Sequence, residues 1–458
     1  MATVLEERES STCKSVKLGD LLRKRVAKVA PAEAPDLPFV GLDAIAPNGM
    51  KLLGSVPFGS LRSGGSRFEP GDVLYGRLRP YLNKVWLADR VGAASGEFFV
   101  LQCSPQLDPS YLAYLLHSRS FVDYASHRVT GDRPRLDYSH LASFEVILPP
   151  LDEQRRIISH VNQLITELED GEEELRRARK DLETYRKSFL QAAVIGEITA
   201  DWRALNDPTE TGGQLLRRLV RERRERWDAN PKNKGKEYTE PPDPQQNRAV
   251  RLPAGWAWAS WSQLGDSQNG KAFPSAHYCD AGIKLLRPGN LFADGYVRWT
   301  NKNTRYLPEA YAEREAGLLV SGGELVMNLT AQSLADEFLG RVCLTQAGEK
   351  CLLNQRLARL TPHGVNVSYV WLVLRSTLFR AFVDRLNTGS MIQHMYTRQL
   401  ATFAVPLPPA GEQAEIVRRA SIALETIELL EESLDQAANT SVLRGSILAA
   451  AFRGELAQ

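Results

Sequence analysis

Phe144, Val146 and Leu148 fall on alternate positions, as one face of a strand does, and Pro149-Pro150 then stop the pattern. This predicts a half-buried strand running into a turn. Beyond the prolines the spacing changes to steps of mostly three and four, at Ile157, Val161, Leu164, Leu168, Leu175, Ala178, Leu182, Tyr185, Phe189 and Ala192. Such a seam predicts one long helix with a coiled-coil stripe, weakened where Gly171 takes a seam position. Asp152 is a residue type that caps helix starts, Glu153 suits the first turn, and Gly196 suits the close. The same sequence of events recurs later. Phe403, Val405 and Leu407 alternate, Pro408-Pro409 intervene, and Ile416, Ala420, Ala423, Ile427, Leu430 and Leu434 start a second seam. It resumes after a one-residue slip at Leu443, Ile447 and Ala450 and closes at Gly454. Each helix, at about 40 residues, would be ~60 Å long.

The recurrence extends well beyond this phrase. FEVILPPLDEQRRII from Phe144 and FAVPLPPAGEQAEIV from Phe403 share Phe, Val, Leu, Pro, Pro, Glu, Gln and Ile. Ser110-Tyr111-Leu112 matches Ser368-Tyr369-Val370, Thr130-Gly131 matches Thr388-Gly389, and Tyr138 falls on Tyr396. Phe68–Tyr75 corresponds to Val320–Met327, Leu18-Gly19-Asp20 to Leu264-Gly265-Asp266, and Ser188–Ile198 to Ser446–Leu456. A period of more than about 200 residues excludes a solenoid and predicts two copies of one globular unit plus helix. The divisions are 1–150 for the first globular domain, 151–197 for the first long helix and 198–251 for a charged, proline-rich linker. The second globular domain then spans 252–409 and the second long helix 410–458. The expected fold is a duplicated mixed α/β protein with pseudo-two-fold symmetry, its two domains separated by two long antiparallel coiled-coil helices.

Composition narrows the class. The 458 residues are 43% hydrophobic and 24% charged, as in ordinary soluble proteins, and the net charge of +2 means that any basic face is local. Five scattered cysteines without a CxxC pair fit reduced thiols, and no apolar run is long enough to span a bilayer. A cytoplasmic protein without membrane contact is expected. No P-loop, GxGxxG, HExxH or GxSxG occurs, and the PPLDEQ and PPAGEQ runs do not supply the Asn/Asp-Pro-Pro-aromatic pocket of adenine methyltransferases. The seven histidines are scattered without a triad or metal-ligand spacing. The breadth of what is missing favours a binding protein over an enzyme.

A globular unit ending in LPPLDEQRRI, a long helix closing with QAAVIGEIT, a linker, LPAGW at Leu252–Trp256 and then the pattern again resemble the specificity subunit of type I restriction-modification systems. The resemblance covers nearly the whole chain, although no LPxGW precedes Leu18. It implies two target recognition domains, each reading one half of a bipartite double-stranded DNA sequence. The helices would set the spacing and dock two methyltransferase subunits, and two motor-nuclease subunits would complete the restriction enzyme. S-adenosylmethionine, ATP and Mg would belong to those partners, with no cofactor, metal or catalytic residue in this chain. A duplicated chain also suits the approximate two-fold symmetry of duplex DNA, with readers ~34 Å apart meeting one face.

The framework agrees between copies while the loops diverge, so the loops carry the candidate contacts. In the first copy these are Arg77, Arg79, Lys84, Arg133, Arg135 and Tyr138; in the second they are Asn328, Gln332, Asn354, Gln355, Arg356, Gln393 and Tyr396. Arginine can pair bidentately with guanine, and Asn or Gln with adenine, while some members of the set would hold phosphate. For the helix and partner interface the candidates are Ile157, Val161, Leu164, Leu168, Leu175, Leu182, Ile416, Ile427, Leu434 and Ile447, with Arg155, Arg156, Arg177, Arg179, Arg418 and Arg419 facing outward. The basic run Arg217–Lys236 interleaves acids with bases, which suits a solvated helix laced by i,i+4 pairs. Competing readings are a subunit of a methylation-only or related phage-defence system, a coiled-coil adaptor without DNA, and a self-sufficient nuclease or methyltransferase. Methylation that requires a separate methyltransferase polypeptide would exclude the last two.

Overall fold

The computed structural model describes residues 14–244, 250–332, 336–386, 393–438 and 441–453. Thr388-Gly389 and Gly454 lie outside them. The chain forms two compact units, one of Met1–Arg177 with Leu434–Gln458 and one of Ala178–Ser433. Neither unit is one sequence repeat. The first long helix, Leu151–Val194, begins in the first unit and ends in the second, while Ala410–Ala437 and Ser441–Phe452 return the chain to the first.

The first unit holds an antiparallel sheet in the order Leu22–Lys24, Phe98–Cys103, Val73–Gly76, Val85–Leu87. A second sheet of five short strands includes one parallel pair, Pro38–Val40 with Gly92–Ala94. The second unit repeats the first arrangement with Gly265–Asn269, Leu357–Pro362, Leu325–Asn328 and Val342–Leu344. It likewise adds a sheet with one parallel pair, Ile283–Leu286 with Lys350–Leu353. Burial follows the alternation: Val73 and Tyr75 share a core with Phe99 and Leu101, while Leu74 and Trp86 enter another with Val100.

The duplicated Pro-Pro-x-x-Glu-Gln phrase is a joint. Gln154 is wholly buried; its Oε1 accepts from the Asp108 amide at 2.9 Å, and its Nε2 donates to the Gln106 and Pro149 carbonyls at 2.9 and 2.8 Å. Gln413 repeats this with the Asn366 amide at 2.9 Å and the Pro408 carbonyl at 3.0 Å. Asp108 and Asn366 in turn cap the helices Pro109–His117 and Val367–Arg375. One glutamine therefore ties strand end, helix start and the neighbouring cap together, so the phrase has to be written wherever the long helix leaves a domain.

The preceding glutamate differs between copies. Glu412 is buried and accepts from Thr199 Oγ1 at 2.8 Å, Trp256 Nε1 at 2.8 Å and the Arg203 guanidinium. Glu153 is half-buried and has no such ring of donors among the described residues. The charged stretch before the second domain is folded. Helix Gly212–Ala229 starts with a Thr211–Gln214 capping box and buries Leu215 and Leu219 in the second unit's core. Gly212 packs where a Cβ would lie 2.1 Å from the Leu407 carbonyl, so only glycine fits. Its charges pair along the helix, Arg218 with Glu222 at 3.0 Å and Arg224 with Asp228 at 3.0 Å, and Arg223 reaches Asp266 at 2.8 Å.

The helical seam departs from the predicted phase in both copies. Tyr185 and Leu443 are more than half exposed, and the buried positions are Leu190, Ala193, Leu448 and Ala451, one residue further on. The seam slots before them hold arginines. Arg186 meets Glu431 at 3.2 Å and Glu428 at 4.0 Å; Arg444 meets Glu169 at 3.7 Å and Glu172 at 3.9 Å. A hydrophobic template skips an arginine, which is why the phase reads one residue early. Of the interface candidates, Ile157, Val161, Ile416 and Ile427 are buried, and Leu164, Leu168, Leu175, Leu182, Leu434 and Ile447 half-buried. In the second unit the pairing is antiparallel, since Arg186 faces Glu428 and Glu431 while Ile198 accepts from the earlier Arg419 at 2.7 Å. In the first unit, Ile157 and Val161 share a core with Leu448 and Ala451. Several outward candidates are tied locally: Arg418 and Arg419 to Glu415, Arg419 also to Asp201, and Arg177 to Glu173.

Candidate nucleic-acid interface

In the first unit, Phe98 pairs with Gly76, and the main chain beyond both strands is cross-tied. The Arg77 amide donates to the Glu97 carbonyl at 2.8 Å, Leu136 to Arg77 at 2.9 Å and Arg79 to Pro134 at 2.7 Å. These bonds bring 77–79, 97 and 133–136 to one end of the sheet, so Arg77, Arg79, Arg133 and Arg135 are neighbours despite their separation in sequence. Arg135 forks onto Glu97, with Nε to Oε2 at 3.0 Å and Nη2 to Oε1 at 2.6 Å. That bond, with Arg77 and Arg133 nearby, holds Glu97 below the usual carboxylate range. Arg77 approaches Asp137 at 3.5 Å and stacks 5.1 Å from the Phe99 ring. Arg79 and Arg133 are exposed, and Arg79 sits in a left-handed conformation (φ 52°) that turns the chain at Pro80.

Two first-copy candidates stand differently. Lys84 donates to the Leu42 carbonyl at 2.6 Å, which commits its ammonium to the fold. Tyr138 is half-buried, edge-on to Phe99 at 5.8 Å, its hydroxyl 3.4 Å from the Leu22 carbonyl. The structure adds Lys24, whose Nζ lies 5.2 Å from the same Phe99 ring. Its strand, Leu22–Lys24, joins Phe98–Cys103 only through long-range pairing, so nothing local marked it.

The second unit keeps the backbone ties and changes the side chains. Leu329 donates to the Arg356 carbonyl at 2.9 Å and Met395 to Leu329 at 3.0 Å, repeating the Arg77–Glu97 and Leu136–Arg77 bonds. Strand Thr330–Ala331 pairs with Gln393–His394, which sets the exposed Gln332 next in line beyond the Ala331–Gln393 pair. Gln355 and Arg356 are exposed and Asn354 is half-buried, beside Lys271 through the Lys271–Asn354 bridge. Tyr396 is half exposed, with His394 at 4.4 Å and the Arg398 guanidinium at 4.9 Å from its ring. Lys271, His394 and Arg398 were not singled out by sequence reasoning.

Asn328 is a correction to the surface reading. It is wholly buried, and its amide donates to the Thr330 and Phe338 carbonyls at 2.8 and 3.0 Å, so it shapes the turn instead of facing a ligand. The match of Tyr138 to Tyr396 also shifts. Tyr396 precedes helix Thr397–Leu400 as Asp137 precedes Tyr138–Ala142, so the structural counterpart of Tyr396 is Asp137.

The two sheet ends therefore present different donors on one backbone plan. Guanidinium and ammonium groups dominate the first, suited to guanine edges and phosphates. The second mixes amides and a tyrosine with Lys271, Arg356 and Arg398. Among the described residues no group of His, Cys, Asp and Glu could hold a metal ion, and no helix is long and apolar enough to cross a membrane.

The family model described as "Type I restriction modification DNA specificity domain" matches residues 11–175 and 253–439. The chain is 22% identical over 435 residues to the type I restriction enzyme EcoAI specificity subunit of Escherichia coli, covering 83% of this chain and 72% of that protein. A chain from structural work on complex assembly and conformational transition of the type I R-M system superposes with a TM-score of 0.69 at 18% identity, over 96% of this chain and 98% of that one. The HsdS subunit from Thermoanaerobacter tengcongensis gives 0.58 at 19% identity, over 98% and 99%.

Proposed function

This chain belongs to the family of type I restriction-modification specificity subunits, and from that membership we propose that each of its compact units reads one half of a bipartite DNA target. As a specificity subunit it recognises DNA within an assembly of restriction-modification subunits and is not itself the catalyst. The observation that carries the reading is the pair of equivalent sheet ends, cross-tied by the same main-chain bonds and bearing different side chains. Identical scaffolds with different donors are what an asymmetric split target requires.

The finer assignment follows from the chemistry. Arg77, Arg79, Arg133 and Arg135 contact bases or phosphates of one half-site, and Gln332, Gln393, Arg356 and Tyr396 those of the other. Two methyltransferase subunits dock on the helices and carry S-adenosylmethionine; two motor-nuclease subunits bring ATP and Mg. The complex works in the cytoplasm. Genome-wide mapping of N6-methyladenine in cells carrying the partner methyltransferase, with and without this chain, tests the proposal. A split motif that appears only with the chain is expected. No new motif, with expression and complex formation verified, would overturn it.

A further inference from the structure

Within the second unit a cavity of about 410 Å³ opens beside the last turns of the first long helix. Five cations line it: Arg186, Lys187, Arg341, Arg375 and Arg380. Three have carboxylates. Lys187 holds Glu183 and Glu337, both at 3.0 Å; Arg186 holds Glu431 and Glu428; Arg380 holds Asp384 at 2.9 Å. Arg341 gives one N–H from Nη1 to the Leu291 carbonyl at 3.4 Å and one from Nη2 to the Asp336 carbonyl at 2.7 Å, which leaves donors over. Arg375 donates to the Ala293 carbonyl at 3.2 Å and lies 4.3 Å from the Trp371 ring, without an ion pair among the described residues. The buried Nε of Arg186 has no acceptor there either. The remaining acids nearby are engaged: Asp294 by Arg298 at 2.5 Å, and Asp336 by the Phe338 amide at 3.2 Å.

The duplicated copy supplies an internal control. In the first unit Arg444 and the pair Glu169 and Glu172 occupy the places of Arg186 and the pair Glu428 and Glu431. The helix residue opposite, however, is His117 where the second unit has Arg375, both preceding the serine that ends the helix. Burial, with Arg444 beside it, pushes His117 down to about 4, so it stays neutral. An arginine cannot discard its proton in this way; burial next to Arg186 lowers Arg375 only to about 10. In the first unit Glu169 and Glu172 face Arg444, and Glu169 also holds Lys51 at 2.7 Å; the second unit puts, where His117 stands neutral, a guanidinium without an ion pair among the described residues. A partly buried guanidinium without a counter-ion favours taking up an anion.

We propose that this cavity is an oxyanion site, in which Arg375 and Arg341 hold a phosphate group. Two guanidinium groups lining one cavity suit a tetrahedral oxyanion through paired hydrogen bonds. The phosphate comes either from solution or from a nucleic-acid backbone. The site stands on the second unit alone and does not rest on the reading of sequence by the sheet ends.

Calorimetric titration of the full chain with inorganic phosphate, at ionic strength held constant with chloride, tests the proposal. Saturable binding is expected, weakened at least about tenfold in Arg375→His, which installs the first unit's residue, and also in Arg341→Gln. No saturable binding by the unmodified chain, or unchanged binding in both variants, overturns the site. Duplex DNA titrated over a salt series separates the two sources. A DNA backbone source makes Arg375→His flatten the slope of log K against log salt by about one. A solution source leaves that slope intact while phosphate binding is lost.

Discussion

Glu97 and Arg356 occupy the same place on the two units, each offering its carbonyl to the residue after the central strand. In the first unit the acid holds Arg135 in a fork. In the second, the position carries an exposed cation itself. The helix joints diverge in the opposite sense. Glu412 is ringed by Thr199, Arg203 and Trp256, whereas Glu153 has no equivalent ring among the described residues. Backbone ties and the buried glutamines recur in both copies because they hold each domain on its helix, while the charges placed around that shared plan differ.

Several experiments would break or sharpen this contrast. The largest effect is expected at the joints. Glu412→Ala strands a guanidinium and an indole N–H and should destabilise the chain by about 3–5 kcal/mol in urea unfolding, against less than about 0.5 kcal/mol for Glu153→Ala. Equal effects would mean that the two joints are energetically alike.

Acid should separate the units next. His117 is neutral in the fold down to about pH 4, while its unfolded form takes up a proton near 6.5. The unfolded state therefore binds more protons in that window. The contribution is intact above 6.5 and is lost as pH falls to about 4, at up to about 1.4 kcal/mol per pH unit. His117→Gln should remove this slope from the pH dependence of unfolding, and Arg375→Gln should not.

Base selection is the third contrast. Arg135→Gln should change one half of the methylated motif and leave the other, with discrimination shifting by about 1–3 kcal/mol at the affected base pair. Arg356→Gln should alter only the other half. Changes in both halves from one substitution would dissolve the division of labour between units. The smallest effect is expected from Arg79→Ala, an exposed side chain suited to phosphate: uniform weakening across sequences and a salt slope shallower by about one.

Much of the architecture was written in the sequence. The repeated Pro-Pro-x-x-Glu-Gln phrase, the strand alternation before it and the three-four spacing after it depend on residues close together in the chain, and local periodicity dictates which face is buried. The same logic mislaid the seam at Tyr185 and Leu443, because a hydrophobic template does not admit Arg186 or Arg444 as seam residues. It treated 198–251 as linker by its charge, although Leu215, Leu219 and Gly212 seat that helix in a core. Asn328 looked like a reader and is a buried turn; Lys24, Lys271 and Arg398 were overlooked. The tertiary structure alone decided which cation meets which carboxylate and which amide remains exposed. A salt bridge or a shared aromatic face joins residues distant in sequence, and no periodicity along the chain records the partner that folding brings across.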